Sequence, residues 1–337
     1  MRVNLHEWES KCQRYFMKVA NVDENKANSV VGAAITADSR GVSSHGVIRL
    51  PAYAERIKKG LIDKYSEPFI EMEKDSLLKI NANNGLGQYT TQWTSQLMIQ
   101  KTKEHGICTS LISNSNHIGI LSYYALMAAQ NGLIAYIMCN TSPLVVPYGG
   151  AKAAIGTNPL CWAIPGKDFP IVLDMAISPA KGKVRNMLSM NQPVPEGWAL
   201  DKHGNPTTDA KEAMEGAMLP IAGPKGYGLG IIVECMAAIL SGANYGLDVT
   251  QPFDDMEHSP DLGVFMMFLD VDQILPFDHF VGRIERYKTM VRSVERQKNI
   301  EEIFLPGEIE HRKAVEANLN GIEVDSELYN LISKSIA

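Results

Sequence analysis

Ile107-Cys-Thr-Ser-Leu-Ile112, then Ser113-Asn-Ser-Asn-His117-Ile-Gly119, then a helical pattern to about Gln130: this run decides the fold class. A short apolar stretch bounded by polar turn residues predicts a strand, and the longer pattern behind it predicts a helix. The same alternation surrounds it. Leu77–Ile80, Leu133–Cys139, Asn158–Ile164, Ile171–Met175 and Val264–Leu269 read as further strands, and Gln88–Glu104 as a helix. Strands interleaved with helices imply α/β layers. Loops beyond the carboxyl ends of strands are where such folds place ligands, so His117 is a candidate acid/base. A capping or loop histidine would look the same.

Outward from this centre both chain ends are helical. Asn4 can cap a first helix, with Glu7 at its third position and Leu5, Trp8, Cys12, Tyr15, Phe16 and Val19 on one face. Asp23 can cap a second helix that buries Ala27, Val30, Val31, Ala34 and Ile35. Leu50, Tyr53, Ala54 and Ile57 mark a third, stopped by Gly60. Near the C-terminus Phe280, Ile284, Tyr287, Val291 and Val294 form a stripe, followed by shorter patterns over 308–319 and 326–336. Between them, 178–219 reads as loops with short helical pieces, and an apolar helix follows Gly226, with Leu229, Ile232, Val233, Met236, Ala237 and Leu240.

With 337 residues, the chain is long enough for about two domains. It is 45% hydrophobic and 21% charged, with 32 basic against 38 acidic residues and no basic block, which argues against nucleic acid as a partner. The N-terminus carries no signal-peptide pattern and no apolar run is long enough for a bilayer. Five scattered cysteines without a CxxC pair predict buried thiols in a reducing cytoplasm.

Ser39-Arg-Gly-Val-Ser-Ser-His-Gly-Val-Ile-Arg49 gathers an imidazole, two guanidiniums and three hydroxyls. Ser44 reads as an N-cap, placing His45 and Arg49 four apart on one helical face. Arg49 suits a carboxylate through its two parallel donors, and His45, titrating near neutrality, suits proton exchange. A capped helix start with solvated side chains would use the same residues. Gly149–Pro159 and Gly223–Leu229 are glycine-rich turns that also suit a ligand. Neither is a dinucleotide fingerprint or a phosphate loop, so the Rossmann and Walker readings fail. Asp254, Asp255, Glu257 and His258 have metal-binding chemistry, but between Pro252 and Pro260 they read first as a solvated loop, and no metal is expected.

Taken together, Asp38–Arg49, Asn114-Ser-Asn-His-Ile-Gly119, Gly156-Thr-Asn-Pro159, Asp174-Met-Ala176 and Pro224-Lys-Gly-Tyr-Gly228 resemble the malate/L-lactate dehydrogenases of the second, non-Rossmann type. That group also holds ureidoglycolate and sulfolactate dehydrogenases and diketogulonate reductases. The resemblance implies a three-layer α/β/α domain with a mixed sheet, a helical domain formed by both chain ends (1–74 with 276–337, against 75–275), and a homodimer. It implies oxidation of a small 2-hydroxy acid, or reduction of the 2-oxo acid, with NAD or NADP. His117 would be the general acid/base with His45 beside the substrate. Arg49, Ser44, Thr157 and Asn158 would bind the substrate, and Thr141, Asp174, Met175, Ala176, Lys225 and Gly226 the cofactor. Pro143–Gly150 is closest to the ureidoglycolate enzymes, which can carry an acidic residue where this chain has Ser142, so malate and lactate stay open. The alternatives are a non-catalytic binder of small carboxylates or nucleotides with the same fold, and a metal-dependent hydrolase or lyase built on Asp254–His258.

Overall fold

A computed structural model describes residues 1–336. Seven strands form a mixed sheet in the order Phe69–Lys74, Leu77–Asn81, Ile107–Ser115, Leu262–Asp270, Leu133–Cys139, Leu160–Ile164, Ile171–Met175. Only Leu77–Asn81 and Ile107–Ser115 run parallel; every other neighbouring pair is antiparallel.

Alternation along each strand divides the side chains between two faces. Val264, Met266 and Phe268, with Ala135, Ile137 and Cys139, join the core under the helices Gly87–His105 and Leu121–Gln130. Phe265, Met138, Leu111 and Leu160 point the other way and pack with Val233 and Ala237. Helices thus cover both faces, giving α/β/α layers. Fully burying side chains such as Met266 and Phe268 contributes about 2 kcal/mol each.

A second core is helical and joins the chain ends: Leu5, Trp8, Phe16, Val31, Leu50 and Tyr53 pack with Ala317, Ile322, Val324 and Ile332. The expected caps are in place, since Asn4 accepts from the amides of His6 and Glu7, and Asp23 from that of Lys26. Arg2–Val3 pairs antiparallel with Ile322–Glu323, tying the two ends together.

Several elements depart from the sequence pattern for identifiable reasons. The strand Phe69–Lys74 was not expected: it is a sheet edge, almost wholly exposed, and its Glu71, Glu73 and Lys74 erase the apolar alternation. Residues 143–218 also contribute five short strands, none longer than 3 residues, to a separate small sheet. The helix expected from Ile118 starts at Leu121, because Gly119 takes a left-handed φ of 78°. In the C-terminal helix Phe277–Arg292 the predicted stripe lies near the surface, with Tyr287 and the following Val294 exposed; its one buried residue is Lys288, bonded to the Phe169 carbonyl and Glu285. Four cysteines are buried as expected, but Cys235 is exposed. The apolar helix Pro224–Val233 continues into a π-helical turn, Glu234–Ile239, and leaves Leu229, Ile232, Ile239 and Leu240 in solvent.

Candidate active site

The Ser39–Arg49 stretch is not one helix start. Ser44 does not cap; the chain makes two short 3-10 turns, Ser43–His45 and Val47–Arg49, before the helix Leu50–Lys58. The cause is Asp38. Its carboxylate accepts the Val47 N–H at 2.9 Å and presses on Gly46 so closely that a Cβ there would lie 1.7 Å from Oδ1. The chain must fold around that carboxylate, and only glycine fits against it. Ser44 then serves locally: its Oγ lies 2.9 Å from His45 Nδ1 and its carbonyl accepts from Arg49 Nε at 2.7 Å.

With its Nε occupied, Arg49 keeps its terminal nitrogens for a ligand. Its guanidinium lies 4.1 Å from the ring centre of Phe253, which also meets His117 edge-on at 5.2 Å. The His45 and His117 rings stack at 5.6 Å. One helical turn after Arg49, Tyr53 directs its hydroxyl to His117 Nδ1 at 2.7 Å, and the Gly119 amide donates to the same nitrogen at 3.2 Å. His117 is held from beneath as well. Gly87 allows the Asn116 carbonyl within 2.2 Å of where a Cβ would sit, and the Asn116 amide donates to the Asn84 and Gly85 carbonyls. Residues 45, 49, 53, 117 and 253 thus converge.

The electrostatics oppose charge on either ring. Burial, helped by Arg49, pulls His45 down to about 4 from its ordinary 6.5. The expectation that His45 titrates near neutrality is therefore corrected: it stays neutral. Burial, then His45 and Arg49, hold His117 well below its usual value too. Burial raises Tyr53, opposed by Arg49 and by the Gln88 side chain.

The residues expected at the cofactor form a hydrogen-bonded row. Thr141 Oγ1 accepts the Thr157 N–H at 2.8 Å and meets Thr157 Oγ1 at 3.1 Å. The Ile177 amide, just past Met175 and Ala176, donates to the Thr157 carbonyl; Ile221 donates to Ile177, and Gly226 to Ile221. Lys225 is exposed in the first turn of the next helix, and its ammonium makes no ion pair among the described residues. Asp174 accepts the Ser122 N–H at 2.8 Å. It is open to solvent yet enclosed by protein, as a cleft wall is, and burial raises its pKa against that hydrogen bond. Asn158 differs from the expected ligand contact: its side chain is fully buried, with Oδ1 accepting from the Thr141 N–H and Nδ2 donating to Gly230 and Glu234.

The Asp254–His258 segment is a clamped loop. Asp255 accepts from the amides of Glu257 and His258 and meets the His258 ring, while Arg56 donates to the carbonyls of Asp255 and His258. Asp255 and His258 are thus turned on each other, and among the described residues no three His, Cys, Asp or Glu side chains gather to hold a metal ion, so the lyase or hydrolase reading has no ligand set. What the loop does is present Phe253 to Arg49.

Sequence reading missed Tyr53, Phe253, Asp38 and Glu234 as site residues. The signal for Tyr53 was its spacing of four from Arg49, hidden because a tyrosine on an apolar face reads as core. Glu234, among apolar neighbours in a helix, was the conspicuous charge left without a role.

A family model described as malate/L-lactate dehydrogenase matches residues 3–333. The L-sulfolactate dehydrogenase of Methanothermobacter thermautotrophicus is 33% identical over 98% of this chain and 95% of its own length. A ureidoglycolate dehydrogenase (NAD(+)) of Escherichia coli is 33% identical over 94% of this chain and 91% of its own. The solved sulfolactate dehydrogenase of Methanocaldococcus jannaschii superposes with a TM-score of 0.92 at 32% identity, covering 99% of this chain and 96% of that one.

Proposed function

The chain belongs to the malate/L-lactate dehydrogenase family, and on that premise we propose that it interconverts a small 2-hydroxy acid and its 2-oxo acid, with His117 exchanging the hydroxyl proton. It is an NAD(P)-dependent dehydrogenase. The observation that carries the site assignment is the convergence of the free edge of Arg49 with His117: a carboxylate on the guanidinium brings the adjacent carbon's oxygen toward the imidazole. His45, neutral and stacked on His117, borders the substrate, with Ser44 fixing its ring.

The donors present fit a dinucleotide. The hydroxyls of Thr141 and Thr157, the solvent-reached Asp174, Met175 and Ala176, and Lys225 with Gly226 at a helix start offer hydroxyl, carboxylate and cationic partners along one row. When bound, the nicotinamide supplies or accepts the hydride at the carbinol carbon. The reading extends to Thr157 as a substrate contact, tied to Thr141 within this row beside the buried Asn158.

The proposal extends to a division into 1–74 with 276–337 and 75–275, to a homodimer, and to a cytoplasmic setting without nucleic-acid or membrane partners. The exposed Leu229, Ile232, Ile239 and Leu240 supply an apolar face for a second copy to cover. No helix of the described residues is long and apolar enough to cross a membrane. Consumption of NADH or NADPH with oxaloacetate, pyruvate, sulfopyruvate or oxalurate tests the activity. Silence across the panel overturns it and leaves the non-catalytic binder.

A further inference from the structure

The hydrogen bonds at His117 specify more than its position. The Gly119 amide can only donate, so Nδ1, which it meets at 3.2 Å, presents a lone pair. The Tyr53 hydroxyl, 2.7 Å from that lone pair, is then the donor as well. With Nδ1 accepting twice, a neutral ring carries its proton on Nε2, which makes no hydrogen bond among the described residues. Burial and the neighbouring His45 and Arg49 keep the ring neutral. His117 therefore rests as an Nε2–H donor, the form needed to protonate a carbonyl oxygen.

A neutral imidazole cannot release Nε2–H alone, because an imidazolate would result. A proton must reach Nδ1 in the same step, and Tyr53 is the acid in contact with it. We propose that Tyr53 and His117 form a two-proton relay set for reduction, in which Nε2–H passes to the substrate oxygen as the Tyr53 hydroxyl proton passes to Nδ1.

The step balances. The 2-oxo carbon gains the hydride that the reduced nicotinamide supplies, its oxygen gains the Nε2 proton, and the O–H bond of Tyr53 breaks as the Nδ1–H bond forms. His117 ends neutral in the other tautomer and Tyr53 ends as a phenolate. Burial opposes that phenolate, and Arg49 and the Gln88 side chain offset part of that cost. After product leaves, a solvent proton binds Nε2 and the Nδ1 proton returns to Tyr53. Oxidation would have to start from the disfavoured tautomer, with the Gly119 N–H facing a protonated Nδ1, so the resting enzyme is poised to reduce.

This inference rests on His117 being the acid/base, and its test separates the two. Nitrogen-15 NMR of the protein without cofactor, with His117 assigned by its loss in His117→Gln, should show Nδ1 unprotonated and Nε2 protonated; a proton on Nδ1 overturns the relay whether or not the enzyme turns over. Tyr53→Phe keeps the ring packing on His117 and Phe253. Its kcat for reduction should fall about 10²-fold with KM within about twofold. In mixtures of light and heavy water the wild-type rate should curve with deuterium fraction, as two protons in flight require, and Tyr53→Phe should be linear. A linear wild-type response, or full kcat in Tyr53→Phe, overturns the relay. Inactivity with every 2-oxo acid overturns the functional reading and leaves the NMR result to decide the tautomer.

Discussion

Two polar clusters sit in this molecule, and they are finished differently. Around Glu234 the buried polar atoms of Asn158 and Glu234 have protein partners: Asn158 bonds Thr141, Gly230 and Glu234, and Glu234 also takes the amides of Gly156 and Gly246. Around His117 the inward atoms are satisfied by Tyr53 and Gly119, and the outward Nε2 and the free edge of Arg49 are left over. A closed network fixes shape; an open one has donors to spend on a ligand. Both are polar, so the difference lies in which atoms remain.

The largest effect should come from breaking the open cluster. His117→Ala is expected to lower kcat about 10³-fold, and to cost about 1 kcal/mol in stability because the Tyr53 hydroxyl and the Gly119 amide lose their acceptor. Turnover within tenfold of wild type would move the acid/base elsewhere.

Breaking the closed cluster should do the reverse. Glu234→Ala strips the acceptor from the amides of Gly156, Asn158 and Gly246, and should cost about 2 kcal/mol in urea unfolding. Its kcat at saturating cofactor should fall less than the apparent cofactor affinity, since Asn158 and Thr157 lose their support. A stable Glu234→Ala with depressed kcat would show that the closed network also takes part in chemistry.

Asp38 lies between the two types, a carboxylate that shapes the catalytic turn yet is itself strained by burial. Its pKa rises from 3.8 to about 6, with the Val47 N–H pulling the other way. The folded state therefore holds this proton where the unfolded chain has lost it, and stability falls as pH rises from about 4 to about 6. Asp38→Asn keeps an acceptor for Val47 and cannot ionise. It should match wild type below pH 4 and exceed it above pH 6, by about 1 kcal/mol for a partly exposed group. A gap that is constant with pH would mean that Asp38 titrates normally.

What was legible in the sequence follows the same division. The capped helices, the strand Leu133–Cys139 and the polar loop at His117 could be read because periodicity and cap chemistry are local. The edge strand Phe69–Lys74 was not, since it buries almost nothing and owes its form to pairing with Leu77–Asn81. Ser44 as a cap failed because the competing acceptor, Asp38, acts through Val47, nine residues further along. Tyr53 and Phe253 acquired site roles through contacts 64 and 136 positions away with His117, beyond any local pattern. His45 looked titratable because sequence shows the imidazole and not its enclosure.

The smallest effect sharpens the open cluster by asking what else it can hold. The helix Lys181–Ser189 lies over the turn, where a Cβ on Gly182 would stand 4.0 Å from that of Ser44. Burial lowers the Arg49 pKa, Arg185 adds to that through its charge, and Tyr53 and Asp254 oppose it, so the two guanidiniums sense one another. Two cations beside one pocket favour a substrate with a second anionic group, as in malate or sulfolactate, over lactate. Arg185 is exposed, so its contribution is at most about 1 kcal/mol. Arg185→Gln should therefore lose about fivefold in kcat/KM for oxaloacetate and little for pyruvate, the ratio of the two being the measurement. An equal loss on both would make Arg185 a general contributor to the field at Arg49, and no loss on either would leave the second acid group to a different residue.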